Sequence, residues 1–160
     1  HFMKLKARLM PYLYTKAIEA SERGIPMMRP MLLEFPEDRN CWHLDEQYML
    51  GDSILVAPVM SADGSKQFYL PEGTWTDLQS GEKFEGGRWH ERQYDFFGLP
   101  LFVRPGAVLA IGTVDDRADY EYQDHFELAA FDAAPGTEVI IHSPTGQRPG
   151  GRAPITVSWK

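Results

Sequence analysis

The stretch Ile25-Pro26-Met27-Met28-Arg29-Pro30-Met31-Leu32-Leu33 is apolar on both faces of an extended chain, and Arg29 is its one charged residue. A strand of that composition has to be covered on both sides, as in the parallel sheets of α/β proteins. Ahead of it, Phe2, Leu5, Leu9, Tyr12 or Leu13, Ala17 and Ala20 recur at helical spacing. Lys4, Lys6, Lys16, Glu19 and Glu22 fall on the other faces, so an amphipathic helix is predicted, with Gly24 as its stop. Pro11 lies inside this pattern and lacks a backbone donor, which predicts a kink or a helix start near it. A helix followed by a doubly buried strand is the closing repeat of an α/β barrel, although one such unit does not define a barrel.

From Ser53 onward the period changes. Ile54-Leu55-Val56-Ala57, Gln67-Phe68-Tyr69-Leu70, Thr74-Trp75-Thr76-Asp77-Leu78, Leu101-Phe102-Val103 and Ala107-Val108-Leu109-Ala110 are short and β-prone. Between them, Ala62-Asp63-Gly64-Ser65, Pro71-Glu72-Gly73, Gln79-Ser80-Gly81 and Glu85-Gly86-Gly87 carry the residues that tight connections require. Short strands at close spacing predict an antiparallel sandwich. After Gly112, the acidic, apolar-poor stretch Thr113 to Asp124 suits a linker or surface loop. Strands are expected at Phe126–Phe131, Thr137–His142 and Ile155–Trp159, the last reached through a Gly/Pro-rich connection from Pro144 to Pro154.

Composition removes several functional classes. With 16 basic and 23 acidic residues the net charge is −7, and no basic cluster is found, so nucleic acid is not an expected partner. The single cysteine, Cys41, cannot form an internal disulfide, which points to a reducing compartment. The opening residues HFMKLKARLM are basic and amphipathic, unlike a signal peptide, and the apolar runs fall short of the roughly 20 residues that cross a bilayer. A cytoplasmic protein without membrane partners is expected. Gly86-Gly87 and Gly150-Gly151 lack the context of a phosphate loop, and there is no Gly-x-Ser-x-Gly elbow. No cofactor is expected.

Two blocks carry a family resemblance. The run from Arg8 to Val59, RLMPYLYTKAIEASERGIPMMRPMLLEFPEDRNCWHLDEQYMLGDSILVAPV, resembles the end of the catalytic barrel of glycoside hydrolase family 31, the retaining α-glycosidases. The run from Phe68 to Gly112 resembles the β-domain that follows that barrel, most closely in the α-xylosidase branch. The resemblance implies a mainly β fold: an antiparallel β-sandwich preceded by a helix–strand remnant of a (β/α)8 barrel. It divides the chain into residues 1–50 as the end of the barrel, 51–112 as the proximal sandwich, and 113–160 as a linker with the opening strands of a distal β-domain. It also implies that both catalytic aspartates lie upstream of these residues.

Retaining glycoside hydrolysis needs two carboxyl groups about 5 to 5.5 Å apart across the scissile bond. The candidates are Glu34, Glu37, Asp38, Asp45, Glu46 and Asp52. Asp45 and Glu46, adjacent in an expected helix, point about 100° apart. All six read as caps, turn residues or solvated groups, and none matches the family's nucleophile or acid/base motif. No catalytic residue is therefore assigned. Arg29, on an otherwise apolar strand, must be paired if buried. It is either a substrate contact near the barrel mouth or one half of an internal ion pair. Cys41, His43 and Asp45 are ligand-type residues at i, i+2 and i+4, a spacing that matches no zinc signature, and Leu44–Gly51 reads as helical, so no metal is expected. Trp42, Trp75, Trp89 and Tyr94 are suited to stacking on sugars or to filling a core. Trp75, alternating with two threonines, is assigned to the core.

Two functions of different class follow. In the first, the chain is the C-terminal section of a retaining α-glycosidase that acts on α-xylosides or related α-glycosides, with a scaffold role and no activity of its own. An α-linked oligosaccharide is then the partner of the parent enzyme. In the second, the chain is a standalone β-sandwich for carbohydrate binding or assembly. In either, an apolar face on Phe2–Leu33 cut off from its barrel is expected to pack on another copy or on the sandwich itself.

Overall fold

In the computed structural model, which describes residues 1–147 and 152–160, the first helix α1 (Phe2–Arg23) passes through Pro11 and neither starts nor stops there. Arg148 to Gly151, within the expected Pro144–Pro154 connection, lie outside the described residues. Pro11 has no N–H for the Ala7 carbonyl one turn earlier, and the Tyr120 hydroxyl donates to that carbonyl at 2.9 Å instead. The helix persists because its lost bond is replaced from outside.

The chain then forms β1 (Met28–Pro30), a one-turn helix α2 (Met31–Glu34), a 3-10 turn at Arg39–Cys41, β2 (Tyr48–Leu50), β3 (Ile54–Val56), β4 (Ser65–Leu70), β5 (Thr74–Asp77), β6 (Lys83–Glu85), β7 (Arg88–Gln93) and β8 (Leu101–Val103). These elements belong to one compact unit, Met28–Pro105. Its sheet has the order β1-β2-β3-β8-β5-β6, with each neighbouring pair antiparallel, and β4 pairs separately with β7. Phe68 of β4 lies 4.7 Å from the Phe102 ring and 6.3 Å from the Phe84 ring, which closes the pair onto the sheet. Trp75, Phe68, Phe102, Met31, Met49, Leu55 and Leu70 are fully buried between the layers. The antiparallel sandwich expected from the short strands and their turns is therefore present.

Two expectations in this unit are corrected. The extended run Ile25–Leu33 contributes only three strand residues, because Pro30 leads directly into α2. It is also covered on one side only: Arg29 and Met31 are buried, whereas Met28, Leu32 and Leu33 are exposed. The expected helix at Leu44–Gly51 is absent. Tyr48, Met49 and Leu50 instead pair with Val56, Leu55 and Ile54 on one side and with β1 on the other. Gly51, at φ +64, makes the tight return into β3 that the helical reading did not provide for.

The second compact unit joins His1–Met27 with Gly106–Lys160. In it, β9 (Ala107–Gly112) pairs in register with β10 (Phe126–Phe131), and β11 (Glu138–Ile141) with β12 (Ile155–Ser158). α1 packs on β9 and β11, with Ala7, Leu9, Pro11 and Tyr12 buried while Phe2 and Met3 at its start are exposed. The stretch Thr113–Asp124 is not simply a surface loop. Tyr120 and Tyr122 are buried with Ala110 and Ile141, each tyrosine hydroxyl donating to a backbone carbonyl, which lets a polar segment supply core rings. Among the described residues no helix is long and apolar enough to cross a membrane.

Candidate functional site

The segment after α2 carries the most concentrated chemistry of the Met28–Pro105 unit. Pro36 stops the short helix, and Asp38 caps the 3-10 turn by accepting from the Asn40 N–H at 3.0 Å. The loop from Glu34 to Asn40 and the end of β4 with its turn, Tyr69, Pro71, Glu72 and Gly87, enclose a cavity of about 640 Å³.

Three side chains set its polar face. Tyr69 Oη donates to Asp38 Oδ2 at 2.8 Å, while Asn40 Nδ2 donates to Tyr69 Oη and to Asp38 Oδ1, both at 3.1 Å. Tyr69 is itself held from behind: its N–H donates to Gln47 Oε1 at 2.9 Å, and its carbonyl accepts from Gln47 Nε2 at 2.8 Å, with Gln47 buried. Burial, with Asp38 beside it, pushes the Tyr69 phenol up to about 12, so its hydroxyl stays a donor at neutral pH. Burial and Asp38 likewise push the Cys41 thiol up to about 12, which leaves a protonated sulfur without nucleophilic or ligating character. Two half-exposed indoles flank the region. Trp89 lies 5.6 Å from the Tyr69 ring, and Trp42 donates its indole N–H to the Pro36 carbonyl at 2.8 Å.

Of the carboxylates named from sequence, Glu34, Glu37 and Asp38 line this cavity together, whereas Glu46 pairs with Lys66 at 2.7 Å and Asp52 accepts from the Ser53 hydroxyl. Glu34 is shared by Arg29 at 2.7 Å and Arg104 at 3.2 Å. Arg29 is thus buried and ion-paired with Glu34, which lines the cavity, and does not itself line it. Cys41, His43 and Asp45 are not brought together as ligands: Cys41 is buried and the other two are exposed. Among the described residues no group of three His, Cys, Asp or Glu side chains is placed to hold a metal. Trp75 is fully buried, as its alternation with threonines predicted. Asn40, Tyr69 and Glu72 were not singled out by sequence reading. The turn signal Pro71-Glu72-Gly73 next to a predicted strand was the available clue that Tyr69 and Glu72 lie at and just beyond the end of β4; Asn40, in the 3-10 turn, had no such signal.

Residues 24–109 match the family model described as the glycosyl hydrolase family 31 C-terminal domain. The chain belongs to glycosyl hydrolase family 31. The matched span runs from the residue after α1 to the middle of β9, and so includes the whole Met28–Pro105 unit and the cavity. Among its relatives, an α-xylosidase of Emericella nidulans is 45% identical over 136 residues, covering 79% of this chain and 17% of that protein. The α-glucosidase 2 of Bacillus thermoamyloliquefaciens is 37% identical, covering 71% of this chain and 14% of that protein. Among solved structures, the cycloalternan-forming enzyme of Listeria monocytogenes in complex with pentasaccharide substrate superposes with a TM-score of 0.81 at 31% identity, over 99% of this chain and 16% of that one. The chain therefore spans about a sixth of the length of these family 31 relatives.

Proposed function

We propose that this chain works as the C-terminal section of a retaining α-glycosidase, with α-xylosides as the preferred substrates and related α-glycosides next. The observation that carries this reading is the 45% identity to an α-xylosidase, which covers 79% of this chain. The chemistry is double displacement: one carboxylate attacks the anomeric carbon, a second protonates the leaving oxygen, and water resolves the glycosyl-enzyme intermediate. Both carboxylates come from the portion of the enzyme that precedes this chain.

The chain acts as a scaffold. Met28, Leu32 and Leu33, exposed beside the open edge of β1, are covered in the intact enzyme by the preceding barrel. Self-association through Phe2–Leu33 would draw on the exposed Met28, Leu32 and Leu33 or on the exposed Phe2 and Met3 at the start of α1. Arg29 acts on substrate only by position, by anchoring Glu34 at the cavity wall. A reducing, cytoplasmic setting is in keeping with the single, buried, free Cys41.

The test is turnover of aryl α-xyloside and aryl α-glucoside. A polypeptide extended upstream through the barrel hydrolyses the xyloside faster and releases the α-anomer first, while the 160-residue chain is inert. Release of the β-anomer, or turnover by the 160-residue chain alone, overturns the assignment.

A further inference from the structure

We propose that the cavity between the Glu34–Asn40 loop and the end of β4 is a non-catalytic binding subsite for a neutral pyranose, one unit of an oligosaccharide. The proposal deepens the glycosidase reading and rests on it for the sugar class, while the site itself rests on its own geometry. At about 640 Å³ the cavity falls in the size range of small-molecule sites, which run from about 300 to 1,000 Å³.

Its polar groups are mixed in the way a polyol requires. Sugar hydroxyls each donate and accept, and the cavity offers the Arg39 guanidinium as a donor together with the Asn40 amide oxygen and the Glu37 and Glu72 carboxylates as acceptors. Asp38 already accepts from the Asn40 N–H, the Asn40 side-chain amide, the Tyr69 hydroxyl and the Cys41 thiol, which fills its roughly four lone-pair sites, so sugar hydroxyls donate to Glu37 and Glu72. Those bonds are charge-assisted and strong. Asp38, Tyr69 and Asn40 are pre-set before any ligand arrives, because Tyr69 is clamped through its backbone by Gln47 and Asn40 is fixed in the 3-10 turn. Preorganisation of this kind lowers the ordering cost of binding.

Charge decides the class of ligand. Among the side chains lining the cavity, Glu37, Asp38 and Glu72 stand against Arg39, and Glu34 is neutralised by Arg29 and Arg104. A phosphate or other anion meets repulsion there, and a neutral sugar does not. Phe35 and Tyr69 are the aromatic residues that line the cavity, whereas Trp89 lies against Tyr69 and Trp42 has its N–H tied to Pro36 without lining it. Flat apolar faces of pyranose rings match aromatic side chains.

The test is a titration of the ¹⁵N-labelled chain with isomaltotriose, followed by NMR. Saturable shifts are expected at the Asn40 side-chain amide and at the Glu37 and Glu72 backbone N–H groups. Arg39→Ala and Glu72→Ala, both at exposed residues that line the cavity, should each weaken binding about tenfold, equivalent to about 1.4 kcal/mol, with the rest of the spectrum unchanged. Glucose 6-phosphate should bind more weakly than glucose. Absence of shifts at these positions, shifts confined to other surfaces, or calcium chloride perturbing the same residues while the trisaccharide does not would each overturn the subsite. None of those results touches the glycosidase reading, which is decided by aryl-glycoside turnover in the extended polypeptide.

Discussion

Tyr120 donates its hydroxyl at 2.9 Å to the carbonyl of Ala7, the acceptor that Pro11 deprives of its helical partner. The two residues are 113 positions apart, so the continuity of the first helix depends on the far end of the chain. Tyr120→Phe removes the donor and leaves a buried carbonyl unpaired, at a cost of about 1 to 3 kcal/mol. In a Pro11→Ala background the helix regains its own N–H, and the same change should cost under about 1 kcal/mol. A double-mutant cycle by urea denaturation measures this coupling, and additive effects would show that the tyrosine does not serve the proline. Gly112→Ala should be more damaging than Tyr120→Phe, because an added methyl group would collide with the Tyr120 hydroxyl and approach the Arg8 carbonyl at 3.2 Å.

The Arg29 guanidinium, 4% exposed, shares the Glu34 carboxylate with Arg104. Breaking a buried pair from one side strands the remaining charge. Glu34→Gln should therefore destabilise by on the order of 3 kcal/mol, whereas Arg104→Ala, whose side chain is 37% exposed and also lies over the Phe35 ring, should cost only about 1 kcal/mol. Replacing both buried partners, Arg29→Met with Glu34→Leu, should recover most of the loss. Denaturant midpoints of the three variants decide the order, and equal effects of Glu34→Gln and Arg104→Ala would contradict it.

Trp75 sits opposite Phe84 across the β5–β6 pair and donates its indole N–H to the Pro71 carbonyl at 2.7 Å. Trp75→Phe removes that donor and part of a fully buried ring, which together should cost about 3 kcal/mol. Pro71 also lines the cavity, so loosening its turn should weaken sugar binding as well as stability. Calorimetric melting followed by the isomaltotriose titration separates the two effects.

How much of this was legible beforehand varied with the range of the interactions involved. The spacing from Phe2 to Ala20 marked a helix that is present from Phe2 to Arg23, and the glycine-containing segments between the strands marked real turns, because both signals act within a few residues. Leu44–Gly51 was misread because the alternation around Met49 becomes decisive only when β1 and β3 pair on either side of it. The acidic stretch holding Tyr120 hid two core rings for the same reason, since the proline that Tyr120 complements lies at the opposite end of the sequence. At the cavity, the carboxylates of Glu34, Glu37 and Asp38 stood out as chemistry. Tyr69 did not, because its place beside Asp38 is fixed through Gln47, a bridge from the loop before β2 to β4 that no local pattern encodes.

His90 should make stability depend on pH near neutrality. Its ring stacks on Phe68 at 5.5 Å, meets the edge of Phe84 at 5.5 Å, and places Nε2 2.9 Å from the Glu85 carbonyl. Burial lowers its pKa below the ordinary value of 6.5, and the neighbouring Arg88 and Arg92 lower it further. Above pH 6.5 the imidazole is neutral in both the folded and unfolded chains and contributes no pH dependence. As pH falls through 6.5 the unfolded chain takes up the proton first, so stability declines until the folded imidazole also protonates at its lower pKa. His90→Gln removes this linkage while keeping a group able to bond the Glu85 carbonyl. Between pH 7 and pH 5 the unfolding free energy of the wild type should fall more steeply than that of the variant; parallel curves would show that the ring is no less basic in the fold than in the open chain.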